Sequence, residues 1–551
     1  MSRMPDTRRA FLRTAVAAAC LPALRAASPD ARVDVLLDEP IGTIDPGVYS
    51  HFVENLGGVV YDGIWVGERS HIPNVNGIRK QLVDGLARLK PGAIRWPGGC
   101  FADQYDWRDG TGPRAQRPRR TNFWVDAAEW PKDANPTGPQ RYDPNEFGTI
   151  DFARFCKLSG AQPYFAANVR SLPAQEFWRW AEYCNSPAHS TTLSDLRAAD
   201  GEPAPLGVRF WGVGNESWGC GGNFDPEDYA TEFGRYTAWV PSYGARLEFV
   251  ASGPNGDSFD WTRRFCVKAA KLGVLGRVWG LGLHHYAWNA SGGRTNDWTA
   301  AKGDALKFDA EQYYEILREA DRMDSLITTH WKIMGESDPR HRTKLVVDEW
   351  GGWYAPGTEP FAEALIGQQS TMRDAVLAGL TLDTFNRHAD KVAMANVAQL
   401  VNCLQSLFLA HEDRFCLTPT YHVFDLFMPH RGGRSLRTVV SASENHYARN
   451  GGSASMRGLS ASASVTGEHL TVTLTNPSFT DPREVEIAIH DAPIRGAFAL
   501  TLSAGDPHAH NSFENPNAVE PKQGNPIVTR GIVSTELPPA SVTRLTVLVG
   551  A

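Results

Sequence analysis

The sequence predicts an α/β protein with two folded parts, a (β/α)8 TIM barrel followed by a C-terminal β-sandwich domain. Over residues 48–430, short apolar runs typical of buried parallel strands alternate with segments of helical periodicity. From residue 431 onward, apolar and polar residues alternate with period two between turn signals, a pattern typical of a sandwich. The chain has 551 residues and 42% hydrophobic content, which is enough to bury a core in each part.

Eight apolar runs in the first part are candidate strands of the barrel. By residue number they are 50–54, 93–96, 164–168, 209–213, 249–252, 280–285, 345–348 and 392–396. Helical segments separate most of them, the clearest being 78–89, 145–159, 225–240, 310–323 and 361–385. The loops after the strands are predicted to be enlarged, and such barrels place functional side chains at that C-terminal mouth.

Strand patterns outside the barrel define the remaining parts of the chain. The alternating runs are 33–37, 469–475, 484–489 and 542–548. The first of these precedes the barrel, so residues 28–47 are predicted to add a strand to the sandwich of residues 431–551. Residues 129–143, which include three Pro, one Asn and one Gly, are predicted to form a long polar loop after the second barrel strand.

The first 27 residues are predicted to be an export signal that does not belong to the fold. The pair Arg8 and Arg9 precedes an apolar stretch over residues 15–24, an order typical of twin-arginine signals. This pattern predicts a periplasmic or secreted protein. The alternatives are a frayed basic tail and, with weaker support, lipid attachment at Cys20. No later run is long and apolar enough to span a membrane.

Composition narrows the range of partners. The formal net charge is −7 and no run of Lys and Arg suggests nucleic acid, which favours a neutral substrate. The 17 Trp residues are suited to contact sugar rings, although core packing is their commoner role. The eight Cys are widely spaced, so we expect mostly buried free thiols and neither a disulfide framework nor a zinc site.

Two glutamates at strand ends carry the predicted chemistry. Glu216 ends the run 210–216 and Glu349 ends the run 345–349, so both are expected at the same mouth of the barrel. Retaining cleavage of a glycosidic bond needs one protonated and one ionised carboxyl, about 5–5.5 Å apart. The alternative is a pair of structural carboxylates bound to Arg, but the shared position of the two residues favours catalysis.

A glycine-rich turn follows the second strand. The sequence Pro97-Gly98-Gly99 predicts a tight turn whose backbone approaches a ligand closely, with an ordinary loop as the alternative. Together with the two glutamates, this motif makes the chain resemble glycoside hydrolase family 51, the retaining α-L-arabinofuranosidases. The matching segments are 51–57, 95–113, 145–149, 182–185, 196–197, 211–223, 284–286, 348–354, 395–402 and 511–516.

The resemblance implies a role for each matching residue. Glu216 would be the general acid/base and Glu349 the nucleophile, and neither a cofactor nor a metal is implied. Substrate-binding roles are implied for Glu54, Cys100, Asn215, Tyr286, Trp353 and Gln399. The Tyr286 hydroxyl is also expected to hold Glu349 by a hydrogen bond. Trp353 can equally belong to the core.

Glu54 has an alternative partner, and a pair of histidines has a metal-binding alternative. Glu54 can pair with Arg95 and need not contact a sugar. His284 and His285 suggest a metal site beside Glu349, but no third ligand with metal spacing is evident, so cleft or core histidines are favoured.

The chain departs from the family pattern in two places. Many relatives have a substrate-binding Asn where this chain has Cys100, and a thiol is a weaker donor. A buried or cleft-lining thiol is expected there, since nothing nearby resembles a nucleophilic triad. The loop over residues 133–143 also looks longer than in the family, and it is expected near the mouth of the cleft.

The predicted function is an exo-acting retaining α-L-arabinofuranosidase that releases terminal arabinofuranose from plant polysaccharides or oligosaccharides. One alternative is a glycosidase of the same fold with another specificity, such as an endo-glucanase or galactofuranosidase. Others are a sugar-binding protein that has lost catalysis and a metal-dependent hydrolase. The oligomeric state stays open. Relatives are commonly oligomeric, which favours a homo-oligomer, but the sequence has no interface signature.

Overall fold

The structure, a computed structural model, describes residues 30–550. The predicted export segment, with Arg8, Arg9 and Cys20, lies outside the described residues. Within the described part of the chain, no helix combines the length and the apolar character that crossing a membrane requires.

Eight parallel strands close into a barrel, which confirms the predicted fold class of the first part. The strands are Ser50–Phe52, Ala93–Trp96, Gln162–Ala167, Phe210–Val213, Glu248–Ala251, Val278–Ala287, Lys344–Gly352 and Val392–Ala398. Each strand pairs with the next along the chain, and the eighth pairs with the first. All eight carboxyl ends therefore open at one mouth.

Large side chains fill the interior of the barrel. Tyr164, Phe210, Val250, Val346 and Met394 come from five different strands and form one buried cluster on the axis. A second, larger apolar core lies between the outer faces of the strands and the surrounding helices. The barrel is thus a packed support that fixes the directions of the residues at its mouth.

Helices surround the barrel, with bounds that differ from the predicted ones at several ends. They are Lys80–Leu89, Thr149–Ser159, Ala174–Asn185, Thr192–Ala199, Pro226–Tyr236, Phe259–Lys271, Trp298–Ala301, Ala310–Asp321, Met323–Ser337, Met372–Arg387 and Pro419–Phe427. The helix predicted to begin at residue 361 begins at Met372, because Thr371 and Asp374 form a capping box there. Residues 361–370 are instead a loop at the mouth.

The seventh barrel strand also differs from its prediction. It was expected to end at residue 348, but it continues to Gly352 because it keeps pairing with the long sixth strand. Glu349 lies opposite His284 in this register. The candidate nucleophile is therefore held inside a strand, which restricts its backbone more than a loop position would.

The C-terminal part is rich in strands, as predicted. Ten strands form one continuous hydrogen-bonded sheet, which packs around a separate apolar core. They are Ala31–Thr43, Arg434–Ala442, Ser460–Thr466, His469–Asn476, Arg483–His490, Ile494–Leu502, Lys522–Gly524, Ile527–Thr529, Ile532–Leu537 and Ser541–Val549. The N-terminal strand lies between Arg434–Ala442, to which it is antiparallel, and Arg483–His490, to which it is parallel.

The long segment that follows the second barrel strand reaches the mouth of the barrel. Arg120–Thr121 pairs with Tyr142–Asp143, and this short hairpin closes the loop between them. Within the loop, the Trp130 indole donates to the Trp124 carbonyl at 2.7 Å. The Trp124 side chain lines the small cavity described next.

Candidate active site

Two adjoining cavities open at the C-terminal mouth of the barrel. The inner one has a volume of about 60 Å³ and the outer one about 700 Å³, and Glu216, Tyr286 and Trp353 line both. All eight sequence-predicted site residues line the inner cavity; the remaining five are Glu54, Cys100, Asn215, Glu349 and Gln399. The structure therefore brings the whole predicted set together.

Glu349 is surrounded by groups that favour its anion. The Arg95 guanidinium donates to Oε1 at 2.8 Å and the Tyr286 hydroxyl donates to Oε2 at 2.7 Å. Burial by itself raises the pKa of the Glu349 carboxyl. The positive charges of His284 and Arg95 act in the opposite direction, and the pKa ends below the ordinary value of glutamate. A carboxylate that stays ionised is what nucleophilic attack requires.

Glu216 lies on a tight turn directly after the fourth strand. Its φ of 38° is in the left-handed region, which a residue with a side chain adopts only when its surroundings enforce it. The backbone N–H groups of Gly219 and Gly221 both donate to the Glu216 carbonyl, at 2.7 and 3.2 Å. The turn aims the Glu216 carboxyl across the mouth toward Glu349.

The two carboxyl groups are close enough for a retaining reaction. One oxygen of Glu216, one oxygen of Glu349 and a ring nitrogen of His284 all lie within 4.8 Å of one another. Retaining glycosidases separate these carboxyls by about 5–5.5 Å, whereas inverting ones need about 6.5–9.5 Å for an intervening water. The close approach of these two oxygens fits the retaining arrangement better than the inverting one.

His284 lies between the two carboxyls. Its Nδ1 is 3.0 Å from Glu216 Oε1 and 3.6 Å from Glu349 Oε2. Burial lowers the pKa of His284, but Glu349 and Glu216 outweigh this effect and the pKa ends above its ordinary value. Glu216 supplies the third metal-type donor that was not evident from sequence spacing. His285 points elsewhere, and its Nε2 lies 2.7 Å from the Glu319 carbonyl.

Glu54 is hydrogen-bonded to loop residues at the mouth and does not pair with Arg95. Its carboxylate accepts from the backbone N–H of Phe101 at 2.9 Å, and its own N–H donates to the Gln399 side chain at 2.9 Å. Burial raises the pKa of Glu54 to about 7. Near neutral pH this carboxyl can therefore donate or accept a hydrogen bond with a sugar hydroxyl.

Asn215 is fixed from both ends. Its side-chain carbonyl accepts from Arg95 at 2.6 Å and its backbone N–H donates to Asp103 at 3.0 Å. Arg95 thus joins Asn215 to Glu349 through one guanidinium. From the sequence, Arg95 was expected only as a partner for Glu54, because a sequence does not show which strand ends face each other across a barrel.

Cys100 is not the free thiol that was expected. It forms a disulfide with Cys220, 120 residues further along the chain, with the Cα atoms 5.5 Å apart. The expectation of free thiols holds for the other described cysteines, which are all buried: Cys156, Cys184, Cys266, Cys403 and Cys416. Cys100 does line the cleft, but in the disulfide its sulfur has no hydrogen to donate.

Aromatic side chains complete both cavities. Trp353 packs edge-on against Tyr286 with ring centroids 5.2 Å apart, so it is a cleft wall and not part of the core. Trp124, which was not among the predicted site residues, lines the inner cavity from the segment just before the loop predicted over residues 129–143. The outer cavity adds Trp218, Trp288 and Trp298. Aromatic faces of this kind suit the apolar faces of sugar rings.

Gly99 shows why a glycine is required in the turn after the second strand. A Cβ atom at this position would lie 3.1 Å from Glu349 Oε1 and 3.4 Å from Asn215 Nδ2. The turn therefore brings the backbone against the candidate nucleophile, as the Pro-Gly-Gly sequence predicts.

A closed parallel barrel that presents two facing carboxyls beside aromatic walls defines a glycoside hydrolase. Two family models match the chain: the α-L-arabinofuranosidase 1 domain over residues 85–300 and the α-L-arabinofuranosidase C-terminal domain over residues 348–541. The chain belongs to the α-L-arabinofuranosidases of glycoside hydrolase family 51, as the full-length comparisons also show.

Three relatives illustrate this membership. An intracellular exo-α-L-arabinofuranosidase of Bacteroides ovatus is 34% identical over 94% of this chain and 96% of its own length. An intracellular exo-α-(1→5)-L-arabinofuranosidase of Streptomyces lividans is 27% identical over 87% of this chain and 70% of its own. The crystal structure of the family 51 arabinofuranosidase from Xanthomonas axonopodis pv. citri has a TM-score of 0.86 and 34% identity, covering 94% and 100% of the two chains.

The predicted export is wrong. Both the B. ovatus and the S. lividans relatives are named as intracellular enzymes, which contradicts a periplasmic or secreted location. A basic pair before a short apolar stretch is a pattern of composition, and the order of a few residues does not establish that a segment is used as a signal.

Proposed function

We propose that Glu216 and Glu349 cleave terminal α-L-arabinofuranosides by double displacement. Glu349 attacks the anomeric carbon while Glu216 donates its proton to the departing glycosidic oxygen. The glycosidic bond breaks as an ester bond between arabinose and Glu349 forms. Glu216, now ionised, takes a proton from water, which attacks the same carbon and releases arabinose and the Glu349 carboxylate. The observation that carries this proposal is the close approach of the two carboxyls.

The lining of the inner cavity supports an exo-acting enzyme that binds a terminal furanose ring. Its walls offer Glu54, Asn215 and Gln399 to the ring hydroxyls. Asn215 is suited to the hydroxyl next to the anomeric carbon, because it directly precedes Glu216. Trp353 and Trp124 supply the apolar walls.

The outer cavity supports a leaving group longer than one sugar. Its lining includes Glu216, the aromatic side chains of Trp288 and Trp298, and the charged pair Asp257 and Arg322. These last two side chains are paired at 2.7 Å, so neither is an unpaired charge that would select a charged substrate. We propose neutral arabinose-containing oligosaccharides as the substrates.

We further propose that the enzyme acts inside the cell on such oligosaccharides. The names of the B. ovatus and S. lividans relatives support this location. Fractionation of the source cells tests it, because the activity should follow a cytoplasmic marker; recovery with a periplasmic or secreted marker would refute it.

Substrate range and stereochemistry test the main proposal. A panel of nitrophenyl α-L-arabinofuranoside, β-D-galactofuranoside, β-D-xyloside and β-D-glucoside should show turnover chiefly of the first. NMR of the first-formed product should show retained configuration. A slow cyclophellitol-type inhibitor should label the peptide that contains Glu349. Turnover of the glucoside alone, an inverted first product, or a label elsewhere would each refute the proposal.

A further inference from the structure

The Cys100–Cys220 disulfide connects the two halves of the site. Cys100 begins the short 3-10 helix after the second barrel strand, next to Gly99, which borders Glu349. Cys220 belongs to the turn after the fourth strand, four residues beyond Glu216. The covalent bond therefore ties the loop beside the nucleophile to the turn that carries the acid/base.

Both sulfur atoms contact functional side chains. Sγ of Cys220 is 3.7 Å from Glu216 Oε2 and 3.8 Å from Asn215 Nδ2, and Sγ of Cys100 is 4.0 Å from Glu216 Oε2. Because disulfide sulfurs have no hydrogen, they form a wall that does not donate to this carboxyl oxygen.

Among the cysteines of the described residues, only the two in the disulfide are partly exposed to solvent. Cys100 and Cys220 are partly exposed at the mouth, whereas the five free cysteines are buried. Burial raises the pKa of the Cys156, Cys184 and Cys403 thiols well above the ordinary value, which keeps them unreactive.

We propose that the Cys100–Cys220 disulfide is a reversible redox control of this active site, with the oxidised form active and the reduced form impaired. The inference rests on the proposed role of Glu216 as acid/base. If the enzyme acts in a reducing compartment, the disulfide is of the kind that forms transiently, and activity then follows the thiol balance of the cell.

The chemistry is ordinary thiol–disulfide exchange. One thiolate of a dithiol reductant attacks Sγ of Cys220, which breaks the bond to Cys100 and forms a mixed disulfide. The second thiol of the reductant attacks its partner sulfur, releases Cys220 and closes a cyclic disulfide. Two electrons pass to the protein, and each cysteine ends with one proton.

Reduction disturbs the site in two ways. The new S–H groups lie where they can donate to Glu216 Oε2, which favours the carboxylate over the proton donor. The two sulfurs also lose their bond and move apart to van der Waals contact, in a region already occupied by Glu216 and Asn215. Displacements of about 1 Å at reacting groups can reduce a rate about 100-fold, so we expect kcat/KM to fall by about 10- to 100-fold.

The test uses the full chain under native conditions. The oxidised protein is assayed on nitrophenyl α-L-arabinofuranoside, incubated with dithiothreitol, assayed again, and reoxidised. Parallel samples are alkylated and mapped by mass spectrometry. We expect alkylation of Cys100 and Cys220, the stated fall in kcat/KM, and recovery on reoxidation. The Cys100→Ser/Cys220→Ser variant should start at the lowered rate and no longer respond to dithiothreitol.

Cys266→Ala is the matched control, because it removes a buried cysteine far from the mouth and should keep the full response. The proposal is overturned if activity is unchanged or rises once mapping shows both cysteines reduced. It is also overturned if native dithiothreitol leaves the bond intact, or if the double variant still responds. Should that variant not fold, the wild-type series decides alone. Failure of the proposed function is seen separately, as no hydrolysis by the oxidised protein.

Discussion

The two candidate catalytic carboxyls differ sharply in their surroundings. The Glu349 side chain is 8% exposed and is held by a guanidinium, a phenol and an imidazole. The Glu216 side chain is 20% exposed, its backbone is in the left-handed region, and its neighbours are His284 and two disulfide sulfurs. One site stabilises an anion by fixed donors, and the other holds a carboxyl on a tight turn facing both cavities.

This difference matches the two roles. A nucleophile must stay ionised and aligned with one carbon, so rigid cationic and hydroxyl contacts suit it. An acid/base must change its protonation state twice in each cycle and meet first a leaving group and then water. Strong donors on both of its oxygens would oppose the first of those steps. The contrast therefore supports the proposed roles on physical grounds, in addition to the family resemblance.

The largest expected effect comes from removing the nucleophile. Glu349→Gln keeps the volume and loses the anion, so kcat should fall by about four orders of magnitude or more on every arabinofuranoside. Activated and poor leaving groups should lose alike, because both need the ester intermediate. The measurement is kcat on aryl arabinofuranosides and arabinobiose, with circular dichroism to confirm the fold. A variant that kept a tenth of the parent rate would remove Glu349 from this role.

Removing the acid/base should instead discriminate between leaving groups. Glu216→Ala should slow cleavage of arabinobiose by about 10²- to 10⁴-fold and affect activated aryl substrates much less at the bond-breaking step, since those need no protonation. Azide, which needs no general base, should partly restore turnover and give an arabinosyl azide of retained configuration. Equal losses on both substrates, with no azide product, would show that Glu216 is not the proton donor.

The same contrast shows what the sequence could and could not predict. The eight strands and the two glutamates were visible because buried parallel strands are continuous apolar runs and the candidate functional residues lie toward their carboxyl ends. The partners of Glu349 were visible only in part. Tyr286 was expected to hold it, whereas the Arg95 contact joins strand ends that are 254 residues apart.

Pairings between distant loops were the main failure. The Cys100–Cys220 disulfide depends on which loops face each other at the mouth, and the spacing of the cysteines contains no such information. Trp124 was missed for a related reason, since the sequence does not show that an aromatic side chain ahead of the predicted loop folds back into a cavity. The late start of the helix at Met372 was missed because its capping residues follow an apolar stretch.

The positive charge of Arg95 can be tested separately from the hydrogen-bond geometry of its guanidinium. Arg95 lowers the pKa of Glu349, and activity needs the anion, which is present above that pKa. Arg95→Met should therefore raise the pKa of Glu349 and move the acid limb of the kcat/KM profile up by about 1–3 pH units. Arg95→Lys keeps the charge but loses the fork that also binds Asn215, so it should lower the rate with the limb close to the parent's.

The control for this pair is Arg88→Met, which makes the same chemical change at an exposed side chain bound to Asp425. Its profile should match the parent's, because surface ion pairs contribute little. An acid limb that did not move in Arg95→Met, in a protein that circular dichroism shows to be folded, would mean that Arg95 does not set the ionisation of Glu349.

The smallest effect is expected from the phenol. Tyr286→Phe removes one 2.7 Å hydrogen bond to Glu349 Oε2 and keeps the aromatic contact with Trp353. A hydrogen bond to a charged group contributes about 1.5–3 kcal/mol, so kcat/KM should fall by about 10- to 100-fold. The same hydrogen bond lowers the pKa of Glu349, so the acid limb should also move up, by less than in Arg95→Met.

Tyr49→Phe is the matched control, since the Tyr49 hydroxyl donates to Asn386 at the opposite end of the barrel. The Tyr49→Phe variant should have a lower melting temperature and the same acid limb of the kcat/KM profile as the parent. If the two Phe variants changed stability alike and neither moved the limb, Tyr286 would be a structural tyrosine, and the fixed cage around Glu349 would consist of its cations alone.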